Sequence, residues 1–242
     1  MKVVAIIQAR TGSQRLPGKV LMDLAGQPLL ARNLNRVRQA QSIDEIVVAT
    51  TTQTSDDVIA DLCVDRGWSH FRGSEQDVLD RYYQAAVAYK ADVVVRITSD
   101  CPLIDDEVVD RVVFEFMKDQ PHIDYASNVL GRRTFPQGLD TEVMRFDALG
   151  RAWREATEAV QREHVTPYIY QNPDLFHLHQ VLGECDFSGM RWTVDTAEDL
   201  DFVRRIYNHF GDRPFSWSDV LTVLAQFPQW QEINSHIRQK II

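Results

Sequence analysis

Between Gln8 and Lys19 the chain reads QARTGSQRLPGK, with three cations (Arg10, Arg15, Lys19), two hydroxyls (Thr11, Ser13) and no acid. Arginine and lysine side chains only donate hydrogen bonds, and the guanidinium fork matches phosphate oxygens. Gly12 and Gly18 let the backbone turn tightly and come close to a ligand. The segment follows the apolar run VVAIIQ, residues 3–8. A cationic, donor-rich turn delivered by a buried strand suits a polyphosphate; the bland alternative is a surface turn. Two familiar phosphate-binding spacings are not met. A Walker loop needs four residues between its glycines and a Ser or Thr after its lysine. Here five residues separate Gly12 from Gly18, and Val20 follows Lys19. The dinucleotide pattern G-x-G-x-x-G is absent as well.

Two aspartates stand at the ends of other apolar runs. Asp100 lies in RITSDCPLID, and Asp195 follows RWTV. Alone, Asp100 reads equally as an Asx turn. Asp195 reads equally as a helix cap, since Asp195-Thr196-Ala197-Glu198 has capping-box-like spacing. Together, at two strand ends on one sheet edge, they make a pair of oxygen ligands for a hard divalent cation. Cys101 beside Asp100 has no base near it in sequence to make it a nucleophile. His177-x-His179 has no further metal-type ligand close by and reads as a surface pair. No G-x-S-x-G element is present.

The elements that must position these residues alternate in type. VVAIIQ, EIVVATT (45–51) and DVVVRIT (92–98) are buried strands, and WSHFRG is a short extended piece. Helices are expected from Pro28 to about Ala40, after a cap at Ser55, from Asp77 to Tyr89 and from Asp105 to Met117. Such alternation predicts an α/β fold: a mostly parallel sheet covered on both faces, with its site at the C-terminal strand ends. After Pro121 the pattern loosens. Residues 121–190 mix extended pieces (DYASN, TEVMRF, FHLHQVL) with helical ones (Ala148–Thr157, Arg162–Tyr170) and read as an insertion packed against the core. RWTV (191–194) returns to the core as a fourth strand, followed by a helix from Thr196 to Phe210 and a helical tail over 211–242. The whole is one domain, with its core in 1–120 and 191–210.

Composition narrows the classes. The 242 residues carry a net charge of −9, which argues against a nucleic-acid track. Yet residues 1–43 hold seven cations and one acid, Asp23, a local +6 that leaves −15 for the remainder. A positive patch in an acidic chain points to a small anionic ligand. Arg32, Arg36 and Arg38 fit the wet face of a helix, which leaves Arg10, Arg15 and Lys19 for that ligand. No apolar run approaches the roughly 18 residues of a membrane span, and no signal peptide is expected. Three scattered cysteines suit a reducing cytoplasm.

Several segments together resemble a known family. ARTGSQRLPGKVLMDLAGQPLL is similar to the N-terminal motif of the sugar-acid cytidylyltransferases, which include the 3-deoxy-manno-octulosonate and acylneuraminate enzymes. FRGSEQDVLDRYYQA, SDCPLID, FPQGLDTEV, REHVTPYIY and WTVDTAEDL resemble their spore coat polysaccharide relatives of the SpsF type. The likeness runs from residue 3 to about 205. It implies a Rossmann-like nucleotide-diphospho-sugar transferase fold with a dimerisation arm, hence a homodimer. It implies transfer of CMP from CTP to a sugar acid with release of pyrophosphate. Ala9, Arg10, Thr11, Gly12, Ser13, Arg15 and Lys19 would wrap the triphosphate, with Arg10, Lys19 and Asp100 catalytic. Asp100 and Asp195 would hold Mg²⁺. Arg72 and Ser74 would sit in a nucleotide-base loop. Gln137, Asp140, Glu142, Arg162, Glu163 and His164 would face the sugar. The sequence departs from the octulosonate enzymes at Ser99-Asp100-Cys101-Pro102, where they have G-D-E-P. It departs from the acylneuraminate enzymes at Gln14-Arg15, where they have a lysine. The metal aspartate survives both comparisons, whereas the acceptor assignment does not. Related readings are use of another NTP or a sugar 1-phosphate, and a glycosyltransferase on a similar fold. The only D-x-D a glycosyltransferase could use, Asp199-Leu200-Asp201, falls inside an expected helix.

Overall fold

The computed structural model describes residues 1–238; the last four residues of the expected tail lie outside the described residues. The chain runs β1 (Val3–Gln8), β2 (Asp23–Leu24), β3 (Gln27–Pro28), α1 (Leu29–Val37), β4 (Glu45–Thr51), α2 (Asp57–Asp65), β5 (Ser69–Gly73), α3 (Val78–Ala88), β6 (Val93–Thr98) and α4 (Asp106–Lys118). It continues through β7 (Tyr125–Ser127), β8 (Glu142–Arg145), α5 (Phe146–Glu155), α6 (Ala159–His164), α7 (Pro167–Tyr170), β9 (Leu178–Gln180), α8 (Ala197–Phe210), α9 (Trp217–Gln226) and α10 (Gln229–Glu232).

Seven strands form one sheet in the order β5-β4-β1-β6-β8-β7-β9. The β5-β4-β1-β6 half is parallel throughout, β8 runs antiparallel to both neighbours, and β7 pairs with β9 in parallel. Strands buried on both faces read as continuous apolar runs, which is why β1, β4 and β6 stand out in the sequence. Along β1 the side chains alternate. Val3, Ala5, Ile7 and Ala9 pack with α1, α2 and α4, while Val4 and Ile6 pack with α3 and α5. Full burial of such side chains contributes roughly 1.5–3 kcal/mol each. A third apolar cluster joins Trp192 and Val194 to α8 and α9.

Three expectations need correction. Residues 121–190 are not simply packed against the core; they supply β7, β8 and β9 to the same sheet. RWTV is not a fourth core strand. Arg191 makes an isolated bridge with Gln137, and the Val194 amide donates to the Asp100 carbonyl at 2.8 Å, so the segment is buried without joining the ladder. Arg32 and Arg36 do not form a wet face. Arg36 bonds Asp105 at 3.1 Å and lies over the Phe215 ring, and Arg32 lies over Tyr207, tying α1 to its neighbours. Smaller differences follow local chemistry. Ser55 falls in a short 3₁₀ turn before α2, and the expected helix 162–170 is split into α6 and α7 at Val165. Among the described residues no helix is long and apolar enough to cross a membrane.

Candidate active site

β1 ends at Gln8, and the loop after it folds back on Thr11, whose carbonyl accepts from the amides of Ser13 (2.8 Å) and Gly18 (2.9 Å). Gly18 makes that return at φ 69°, a left-handed conformation glycine adopts without a side-chain clash. Asp56 anchors the loop from the start of α2. Its Oδ1 accepts from the Thr11 amide and hydroxyl, both at 2.7 Å, and its Oδ2 from the Thr51 hydroxyl. Burial raises the Asp56 carboxyl, but these bonds outweigh it and hold the group below its ordinary value. The amides of Gly12, Gln14 and Arg15 have no acceptor among the described residues. Free amides beside cations are the donors an anion favours.

At the other end of the loop Lys19 is buried, and its Nζ bridges the two expected aspartates. It donates to Asp100 Oδ2 at 2.8 Å, to Asp195 Oδ1 at 2.9 Å and to the Val194 carbonyl at 2.8 Å. Burial lowers the lysine's affinity for its proton, but the two carboxylates outweigh it and keep the ammonium above the ordinary lysine value. Asp100 is held low by the reverse balance: burial raises it, while Lys19 and the Thr98 hydroxyl at 2.6 Å overcome that. Asp195 Oδ2 accepts from Arg15 at 3.0 Å and from Arg191 at 2.8 Å.

The cap reading of Asp195 is off by one residue. Thr196 is the N-cap of α8, and Asp199 closes the capping box while pairing with Arg191 at 2.8 Å. The Asp195 carboxylate is therefore free to face Lys19. Asp199 is fully buried in that role, which removes Asp199-Leu200-Asp201 as a metal-binding D-x-D. The Cys101 thiol is pushed up well above its ordinary value by burial and by Asp100, which makes it a poor nucleophile.

These groups line a cleft of about 650 Å³ at the C-terminal ends of β1 and β6, closed on one side by α3 and α6. Ala9 through Ser13, Arg15, Lys19, Asp100 and Asp195 belong at or next to this cleft, and Glu163 and His164 reach it from α6. Val165 follows them at φ 73°, a strained conformation for a β-branched residue, and it ends α6 just where these two side chains face the cleft. Burial lowers His164 below its ordinary value.

The other expected base and sugar residues are held elsewhere. Arg72 donates to the Thr51 and Gln53 carbonyls and pairs with Asp57 at 2.7 Å. The Ser74 hydroxyl accepts from the Asp77 amide at 3.0 Å. Asp140 is paired with Arg133, Glu142 with Arg96 and the Tyr125 hydroxyl (2.6 Å), and Gln137 accepts from Arg191 at 3.4 Å. Arg162 binds Asp77 at 3.0 Å and the Trp153 carbonyl at 2.6 Å. None of these lines the cleft. The structure adds Gln8, Glu75 and Arg81 to the lining. Their sequence signal was only position: Gln8 ends β1, and the other two lie in the segment that follows β5.

The model of the family described as cytidylyltransferase matches residues 4–215. The chain belongs to the cytidylyltransferase family. It is 36% identical to the spore coat polysaccharide biosynthesis protein SpsF of Bacillus subtilis, over 93% of this chain and 95% of that one. It is 30% identical to a 3-deoxy-manno-octulosonate cytidylyltransferase of Chlamydia trachomatis, over 74% of this chain and 68% of that one. A solved cytidylyltransferase from Leptospira borgpetersenii superposes with a TM-score of 0.91 at 34% identity, covering 100% of this chain and 99% of that one. Within this chain, the cationic loop and the aspartates Asp100 and Asp195 are one connected cluster.

Proposed function

We propose that the protein transfers CMP from CTP to a sugar acid of the ulosonic type and releases pyrophosphate. The observation that carries this reading is the bridge of Lys19 Nζ between Asp100 and Asp195, beside Arg15 and the free loop amides. The octulosonate cytidylyltransferase among its relatives supports the choice of acceptor. A sugar hydroxyl attacks the α-phosphorus of CTP; the new O–P bond forms as the bond to the β-phosphate oxygen breaks. Positioning and charge neutralisation carry most of such chemistry. Lys19 exchanges its carboxylate partners for phosphate oxygens as a compact charge, and Arg10 and Arg15 grip phosphate through their forks. The loop amides hold the triphosphate from the backbone side. His164, whose imidazole burial holds below its ordinary value, lines the cleft as a group able to accept the hydroxyl proton.

Asp100 and Asp195 present hard carboxylate oxygens that already converge on one cationic group, so they fit Mg²⁺. When bound there, Mg²⁺ would supply Lewis-acid polarisation of the phosphate. Pyrophosphate release with CTP and Mg²⁺, measured against ulosonic acids and against sugar 1-phosphates, tests the reading. Release stimulated by an ulosonic acid supports it. Release stimulated only by a sugar 1-phosphate, or only with another NTP, overturns it.

A further inference from the structure

Two polar groups in the cleft are left over once the phosphate-binding cluster is accounted for. Arg81, on α3, is 1% exposed, yet among the described residues its one side-chain hydrogen bond is from Nη1 to the Ser74 carbonyl at 2.5 Å. Its Nε is buried without an acceptor, and no carboxylate among the described residues pairs with it. A guanidinium keeps its charge and its donors at any working pH, so a buried one with an empty edge leaves a demand that a ligand can meet. Its electrostatic neighbours include Tyr82, Arg10, Asp56 and Glu75, whereas Lys19 is the group that bridges Asp100 and Asp195. The stem is held firmly: a Cβ at Gly73 would lie 3.0 Å from Arg81 Cγ and 3.2 Å from its Cβ. The stem that carries the free edge is therefore fixed before any ligand arrives.

The second group is Gln8. It follows Val4 and Ile6 on the α3 face of β1, and its Oε1 is buried with no partner. Gln8, Arg81 and Val78 line the same cleft. A phosphate could satisfy Arg81, but it carries no donor for the Gln8 carbonyl. Cytosine carries both: an amino group at N4, followed by two adjacent acceptors, N3 and O2. Uracil offers O4, N3–H and O2, so it never presents two neighbouring acceptors to a fork.

We propose that Arg81 and Gln8 read the base edge of the nucleotide and select cytosine over uracil. The Nε/Nη2 edge of Arg81 donates to O2 and N3, and the Gln8 carbonyl accepts from the N4 amino group. This rests on the reading of the cleft as a CTP site and names the residues that choose the base within it.

Equilibrium binding of CTP and UTP, each with Mg²⁺, to the wild type and to Arg81→Lys tests it. Lysine keeps the charge and loses the fork. The CTP-over-UTP preference should fall roughly ten- to a hundredfold, the size of one bidentate base contact, with UTP affinity nearly unchanged. Equal losses for both nucleotides would mean that Arg81 only braces the Ser74 turn or supplies charge, which overturns the inference and leaves the CTP reading intact. A wild type that binds both nucleotides equally, or neither, overturns the CTP reading and this inference together. Unchanged nucleotide affinity with a raised KM for the acceptor would place the pair on the sugar instead and also overturn it. Should Arg81→Lys fail to fold by circular dichroism, Gln8→Leu tests the same edge: CTP affinity should fall and UTP affinity should hold, and an equal fall in both overturns the proposal.

Discussion

The cleft and the elements around it treat their charges differently. In the cleft, Lys19 pairs with Asp100 and Asp195 across 81 and 176 residues of chain, and Arg15 also reaches Asp195. These pairs join side chains that line one cleft. Outside the cleft, Arg162 is spent on Asp77, the N-cap of α3, and Glu142 on Arg96 and Tyr125 between strands. Those pairs fasten elements together. The lesson is that a charged motif residue does chemistry only when its partners are themselves part of the site.

The largest expected effect is at Asp100. Asp100→Asn should lower turnover on the order of a hundredfold, the size seen on removing one preorganised transition-state contact. It should also raise the Mg²⁺ concentration needed for half-maximal activity. An unchanged metal titration would return Asp100 to the role of a turn former.

Next comes the distinction between Asp195 and Thr196, adjacent residues on opposite sides of the comparison. Asp195→Asn should abolish most activity with the melting temperature nearly unchanged, because Thr196 and Asp199 retain the cap. Thr196→Ala should do the reverse, costing about 1 kcal/mol and roughly 2–4 °C in a chain of this size. Thermal melts and initial rates on both variants decide it; a large fall in Tm for Asp195→Asn alone would make Asp195 structural.

A smaller, pH-dependent effect is expected at Asp56, the anchor of the loop. Its folded-state value lies below the ordinary 3.8, so its contribution is fully present above that value and is lost as pH falls through the lowered one. The Tm advantage of the wild type over Asp56→Asn should be constant from pH 5 to 8 and shrink below pH 4. An advantage that grows on acidification would contradict the assignment.

Much of this was legible in the residues themselves. β1, β4 and β6 show because parallel strands are buried on both faces, and the loop shows because an acid-free run of cations after a strand is unusual. RWTV misleads for the same physical reason: Trp192 and Val194 are as buried as strand residues, but α8 and α9 cover them rather than a ladder. β7 and β9 have three residues each, too few to show a period of two. Arg162 could not be sorted by type, since its partner Asp77 lies 85 residues away in sequence. Arg81 was hidden as one charged residue among others on a helix; only its burial and its empty edge distinguish it.

The difference between the cleft cluster and the pairs around it is tested most directly by measuring CTP-dependent pyrophosphate release in Lys19→Met and Arg162→Gln side by side, each normalised to its folded fraction. Lys19→Met should lose about a hundredfold or more in rate per folded molecule; Arg15 and Arg191 still neutralise Asp195, and the Thr98 hydroxyl still donates to Asp100. Arg162→Gln should melt earlier yet keep most of its activity per folded molecule. Equal losses of activity in the two variants, or normal turnover in Lys19→Met, would contradict the account.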